Sequence, residues 1–165
     1  MSSEAFTTAM FLIAAIISAG VLINAVFPVI YTLSGTISSS SHKVDERLST
    51  DVKIVTTYAS GGTKNAEIWL KNVGTGRVSD VDIRKADVFL GGQGNFDRLK
   101  WATALTKETW TYEIMEDTPN GYWDPGETLH ISAETFMIPA AEQIVYFQFV
   151  LPTGLSRSTT FTAGT

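Results

Sequence analysis

Apolar residues are spread along this chain in two different ways. Residues 5–33 (AFTTAMFLIAAIISAGVLINAVFPVIYTL) are almost wholly apolar, and no charge appears before residue 42 except Glu4. After Asp51 apolar positions return only in short alternating segments, clear in Glu67-Ile68-Trp69-Leu70-Lys71 and Trp110-Thr111-Tyr112-Glu113-Ile114. A bilayer core about 30 Å thick takes roughly 20 apolar residues as a helix, so the first pattern predicts one long helix that spans it with residues to spare. The second is the period of half-buried strands. It predicts strands at 52–58, 66–72, 78–83, 86–90, 99–102, 109–115, 128–134 and 144–151, with 158–162 as a possible ninth.

The connections carry turn residues: Ser60-Gly61-Gly62, Gly74-Thr75-Gly76, Gly91-Gly92-Gln93-Gly94-Asn95, Pro119-Asn120-Gly121 and Asp124-Pro125-Gly126. Many short strands joined by such turns indicate an antiparallel sandwich of immunoglobulin-like type, with an up-and-down barrel as the alternative. No internal repeat or coiled-coil heptad stands out. The expected organisation is α+β: a helix and stalk over 1–41, then an all-β domain over 42–165.

Several positions in the helix point to assembly. Ala15 and Ala19 form one of several small-xxx-small pairs that let helices approach closely. Asn24 is a lone amide that can bond across to another helix, and Pro28 removes a helical donor and is expected to kink the helix or change its course. Glu4 suits the positive end of the helix dipole and can pair with a terminal amine of its own or another subunit. The hydroxylated run SGTISSSS over 34–41 reads as the stalk, and HKVDERLSTD after it brings Lys43 and Arg47 four residues apart.

Charge and composition exclude more than they assign. The chain has a formal charge of -5, so the part after Glu4 is mildly acidic and lacks the basic patch that nucleic acid requires. With zero cysteines there is neither a disulfide nor a thiolate metal site, and the domain must hold together by core burial. No Lys or Arg precedes the apolar run, which weighs against a cleaved secretory signal. There is no Asn-x-Ser/Thr sequon for N-linked sugar.

No catalytic constellation emerges. His42 and His130 are isolated, no Gly-x-Ser-x-Gly elbow accompanies the hydroxyl residues, and the glycines at 91, 92 and 94 form no phosphate-binding loop. The most acidic stretch runs over 116–127, where Asp117, Asn120, Asp124 and Glu127 are hard oxygen ligands that suit calcium, although the spacing is not that of an EF-hand; a solvated hairpin turn is the plainer reading. Trp69 and Phe147 are expected in the core, whereas Tyr122 and Trp123 in the acidic turn are candidates for a contact surface. No other cofactor is implied.

In this layout the chain resembles the archaeal type IV pilin and archaellin superfamily, in which an apolar N-terminal helix carries a β-sandwich. Within it the chain is similar to the FlaG-type stator proteins of the archaellum. The resemblance rests on MSSEAFTTAMFLIAAIISAGVLINAVFPVIYTLSGT, RLSTDVKIVTTYA, AEIWLKNVG, YWDPGETLHI and VYFQFVLPTG. It implies a mechanical role without enzymatic activity: a helix in the cytoplasmic membrane and a sandwich outside it, where self-association and a sister stator protein link the motor to the surface layer. The alternative is a filament subunit, an archaellin or pilin, whose helix packs in the filament core after a basic leader is removed. A membrane-anchored binding module or hydrolase is a third reading, and the hydrolase lacks its acid, base and nucleophile.

Overall fold

The computed structural model describes residues 2–116 and 118–165, with side chains described throughout apart from residue 2 and residues 37–48. The readings placed on Asp117 and on the side chains of His42, Lys43 and Arg47 lie outside the described residues. The chain divides into two compact units, Met1–Val44 and Asp45–Thr165.

The first unit is a single helix. α1 runs over Ser2–Ser49, passing uninterrupted through Pro28 and through the hydroxylated stretch read as a stalk. Its apolar part, Ser3–Thr36, is 34 residues long, about 50 Å at 1.5 Å per residue. Threonine contributes no free hydroxyl proton at four of its positions. Thr7, Thr8, Thr32 and Thr36 each donate to the carbonyl four residues earlier, at 2.8–2.9 Å. Large side chains are exposed at successive positions, Met10, Phe11, Leu12 and Ile13 among them, so no side of the helix is polar.

After the end of α1, the described residues of the second unit form ten strands and one short helix. β1 (Val52–Ala59), β2 (Asn65–Asn72), β8 (Thr128–Glu134) and β6 (Thr109–Met115) pair in that order, all antiparallel. β5 (Asn95–Trp101), β4 (Asp87–Gly92), β9 (Ile144–Val150) and β10 (Ser156–Thr162) form the second antiparallel set. A short parallel contact, Lys100↔Thr109 and Trp101↔Trp110, joins β5 to β6. On the other side Ser60 bridges Gly164, so β1 and β10 lie alongside each other and the sandwich comes close to a closed barrel.

Alternation decides what goes inside. β2 buries Ala66, Ile68 and Leu70, β8 buries Leu129, Ile131 and Ala133, and β9 buries Val145, Phe147 and Phe149. These side chains meet Trp110 and Trp123, both with no exposed surface, in one continuous core. Burying a large side chain contributes about 1.5–3 kcal/mol, so this core suffices to hold a cysteine-free domain.

Three expectations need correcting. The predicted strand at 78–83 is a two-residue strand, β3 (Val78–Ser79), followed by the helix α2 (Asp80–Arg84). Ser79 caps that helix: its Oγ accepts from the Asp82 amide at 3.1 Å and donates to Asp82 Oδ2 at 2.6 Å. Acids in the first turn and Arg84 in the last suit the helix dipole and outweigh the β-branched residues Val78, Val81 and Ile83. Trp69 lies on the outer face of β2, half-buried, with its ring stacked 4.5 Å from that of His130. Trp123, in the two-residue strand β7 (Tyr122–Trp123) paired with β3, is a core residue and no contact surface. Its indole Nε1 donates to the Glu127 carbonyl at 3.0 Å, which lets the largest side chain of the acidic turn point inward.

The glycine-rich run is shorter as a loop than its composition suggests. Gly91 and Gly92 belong to β4, and Gln93-Gly94 alone connect it to β5, with Gly94 at φ 82°. A side chain at Gly91 would collide with Phe96 and the Asn95 carbonyl. The absence of a Cβ lets the Phe96 ring lie over that strand, 4.8 Å from Tyr146 and 6.2 Å from Phe89.

Candidate functional site

The most constrained polar arrangement in the molecule lies where the chain leaves α1 and becomes β1. A helix ends with carbonyls that have no partner of their own. Here the loop after β2 supplies the donors: the amides of Thr75 and Gly76 bond the Ser49 carbonyl at 2.8 and 2.9 Å. The amides of Val73 and Gly74 bond the Asp51 carbonyl at 2.9 and 3.0 Å. Such an approach excludes side chains, because a Cβ on Gly74 would collide with the Ser49 carbonyl and the Asp51 amide.

Asn72 holds this loop in shape. It is fully buried, and its Nδ2 donates to the carbonyls of Gly76 at 2.9 Å and Trp123 at 3.1 Å while its Oδ1 accepts from the Gly74 amide at 3.0 Å. Its backbone is also held, with its amide on the Glu127 carbonyl and its carbonyl on the Gly126 amide. From the other side Arg157 on β10 donates to the Val52 carbonyl at 2.8 Å and pairs with the Asp51 carboxylate. The result is a clamp on residues 49–52 drawn from β2, β10 and the acidic turn. It resists displacement of the backbone at the start of the domain.

The clamp gathers pieces of three quoted segments, RLSTDVKIVTTYA, AEIWLKNVG and YWDPGETLHI, that are far apart in the chain. Asn72, Gly74 and Gly76 were not singled out by sequence reasoning beyond a turn at 74–76. The signal that could have found them is an amide at a strand end directly before a Gly-x-Gly loop.

The acidic turn is tied to itself. Asn120 Nδ2 donates to Asp124 Oδ2 at 2.6 Å, Glu127 Oε2 accepts from the Asp124 amide at 2.7 Å, and Arg77 pairs with Asp124 at 3.1 Å. Three of the four residues offered to calcium, Asn120, Asp124 and Glu127, therefore meet in one turn. Among the described residues no group of three or more His, Cys, Asp or Glu is placed to hold a metal ion. Tyr122 stays on the surface with the Arg77 guanidinium 4.7 Å above its ring.

His130 is not isolated in space. Its Nε2 lies 2.6 Å from Glu67 Oε2, which also accepts from Ser132 Oγ at 2.7 Å. On the same sheet Tyr112 donates to the Asp80 carboxylate, and Arg84 donates to the phenol oxygen at 3.2 Å and pairs with Asp80. Burial, reinforced by the bond to Asp80, pushes the Tyr112 phenol up to about 12. The Arg84 guanidinium is held above its ordinary value, chiefly by its bond to Tyr112.

The helix positions singled out for assembly, Glu4, Ala15, Ala19, Asn24 and Pro28, are all exposed on α1. Glu4 stands in the first turn, as expected for a dipole partner. Among the described residues none from Ser3 to Thr36 is buried in the chain itself.

Comparison with known proteins agrees with this architecture. The family profile of archaeal-type flagellin matches residues 6–161. An uncharacterized protein of Archaeoglobus fulgidus is 27% identical over 152 residues, which cover 89% of this chain and 91% of that one. The fold is similar to that in the archaellum periplasmic stator protein complex of FlaF and FlaG from Sulfolobus acidocaldarius, with a TM-score of 0.55, 19% identity and coverage of 67% of this chain and 87% of that one. It is also similar to the archaeal flagellum of Methanospirillum hungatei, with a TM-score of 0.70, 15% identity and coverage of 96% and 93%. With a family match that spans nearly its whole length, an apolar helix and a β-sandwich, the chain belongs to the archaeal-type flagellin family and is a structural protein of the archaellum.

Proposed function

We propose that this protein is a membrane-tethered stator component of the archaellum. α1 anchors in the cytoplasmic membrane, and the sandwich lies outside it. There the sandwich associates with itself or with a sister sandwich protein and connects the motor to the surface layer. The observation that carries this reading is the exposure of large apolar side chains on every side of α1, from Phe6 and Phe11 through Ile16 and Leu22 to Phe27 and Tyr31. Lipid gives a single helix an apolar surrounding in every direction.

The clamp supports the same reading. A stator must hold still against a turning filament, and a tether is only as firm as its attachment. Backbone bonds at Ser49 and Asp51 from a loop fixed by a buried amide hold the first residues of the sandwich unit in place. That FlaG of Sulfolobus acidocaldarius is found in complex with FlaF supports a sister sandwich as the partner.

The second reading, a filament subunit, is favoured by the likeness to the Methanospirillum flagellum, which extends along almost the whole chain. Shearing filaments from cells and then fractionating the envelope separates the two. The stator reading expects the protein to stay with the membrane fraction; its recovery as the main band of sheared filaments would overturn that reading.

A further inference from the structure

We infer that α1 pairs with α1 of a second copy of this chain through the face that carries Asn24, each Asn24 side chain bonding the same residue of its partner. The inference rests on the reading of α1 as a helix in lipid. Two independent vacancies in hydrogen bonding coincide at this residue. The first is its carboxamide, exposed on the helix and, unlike the threonines around it, not bonded back to its own backbone. The second is its main-chain carbonyl. In an α-helix the carbonyl of Asn24 accepts from the amide of residue 28, and that residue is a proline with no N–H.

Depth makes these vacancies matter. The middle of the span Ser3–Thr36 falls near Gly20, so Asn24 lies about 7 Å from the centre, well inside the half-thickness of about 15 Å. Water does not reach that level to satisfy a donor or an acceptor. A partner helix must do so.

The chemistry selects the partner. A carboxamide is both donor and acceptor, so it is its own complement: one Nδ2 can give its protons to the opposite Oδ1 and to the opposite carbonyl freed by Pro28. Two copies inserted in the same direction carry Asn24 at the same depth and meet across a two-fold axis along the membrane normal. A different helix would need a matching polar group at that depth.

Neighbours on this face allow the approach. At 100° per residue Gly20 and Pro28 lie about 40° to either side of Asn24, with Tyr31 and Ile13 about 20° away and Ile17 about as close. Gly20 removes bulk one turn before the amide. Ile13, Ile17, Gly20, Asn24 and Tyr31 recur at alternating intervals of mostly three and four, the spacing of a left-handed helix pair. In a helix apolar on every side such a stripe has no weight alone; Asn24 is what selects it. Glu4, Ala15 and Ala19 lie roughly opposite, so the small-residue pair and the amide belong to different faces.

The absence of cysteine makes the test direct. The full chain is reconstituted alone in proteoliposomes with one substitution at a time: Ile17→Cys or Tyr31→Cys on the Asn24 face, Ala15→Cys or Leu22→Cys on the opposite one. Under mild oxidation the first two are expected to give disulfide-linked dimers at about five times the yield of the others. Adding Asn24→Leu should lower the Tyr31→Cys yield about fivefold to tenfold, while Asn24→Gln retains it. Pro28→Ala, which returns a donor to the Asn24 carbonyl, should lower it about twofold. Cross-links strongest at Ala15 or Leu22, or indifferent to Asn24→Leu, would overturn the inference and leave the membrane reading intact. Failure of that reading has its own sign, recovery of the chain in sheared filaments instead of membranes.

Discussion

α1 and the sandwich use the same kinds of side chain in opposite ways. Apart from the Asn24 carbonyl facing Pro28 and the carbonyls of its last turn, the helix closes its main-chain bonds within itself, and it turns its apolar side chains outward, with Phe11 72% exposed. The sandwich turns its apolar side chains inward, with Phe147 at 0%, and draws its main-chain bonds from strands distant in sequence, such as Ile68 with Ile131. The first is finished by its surroundings and the second by its own folding. The difference teaches where each is vulnerable: solvent and partners decide the helix, whereas packing decides the sandwich.

The comparison breaks most visibly if core and helix substitutions act alike. Trp110→Ala should cost the sandwich about 3–5 kcal/mol, read as a lower urea midpoint for the domain, because a fully buried indole leaves a cavity. Phe11→Ala should leave that midpoint unchanged. A comparable shift from both would show that the two units fold as one. Next in size is Asn72→Ala, which leaves the carbonyls of Gly76 and Trp123 without their donor and should cost about 2–3 kcal/mol. Amide exchange at Thr75 and Gly76 sharpens this case: it should accelerate together with the loss of stability, and unchanged exchange would mean that Asn72 does not hold the clamp.

The smallest effect is alkaline. Tyr112 is raised from its ordinary 10.0 to about 12 in the folded chain, so above pH 10 the unfolded chain loses this proton first. The protein then binds more protons folded than unfolded, and stability falls as pH rises. The contribution is intact below about pH 10 and gone above about pH 12, and for a half-exposed phenol screened by solvent it amounts to about 1 kcal/mol. Tyr112→Phe should flatten that part of a stability-against-pH curve; an unchanged slope would assign it to other groups.

The period of hydrophobicity carried most of the fold. β6 and β8 coincide with the predicted 109–115 and 128–134, because a half-buried strand writes its register directly into alternating residues. α2 was illegible to the same reading, since only Val81-Asp82-Ile83 of this short segment alternates, too little to tell a strand from one helical turn, and the Ser79 cap is what distinguishes the two. Trp69 and Trp123 were exchanged between surface and core for a related reason. Residue type says that an indole is large, whereas strand register and an acceptor for its N–H say which way it points. The clamp was the least visible part. Its bonds are mostly between backbone atoms brought together from residues 49–51, 72–76 and 123–127, and such contacts leave little trace beyond the glycines that permit them.

One consequence follows from the position of β1. The clamp grips the chain directly before Val52, and the strand then runs beside β2 through seven paired positions, from Val52↔Asn72 to Ala59↔Ala66. The bonds between antiparallel strands lie across the strand direction. A pull along β1 therefore strains the whole ladder at once, as in a lap joint under shear, instead of opening it one bond at a time like a zip. Arg157 fastens the same strand to β10 at its first residue. A first strand fastened in this way withstands a pull along its own length far better than one that could be peeled from its end.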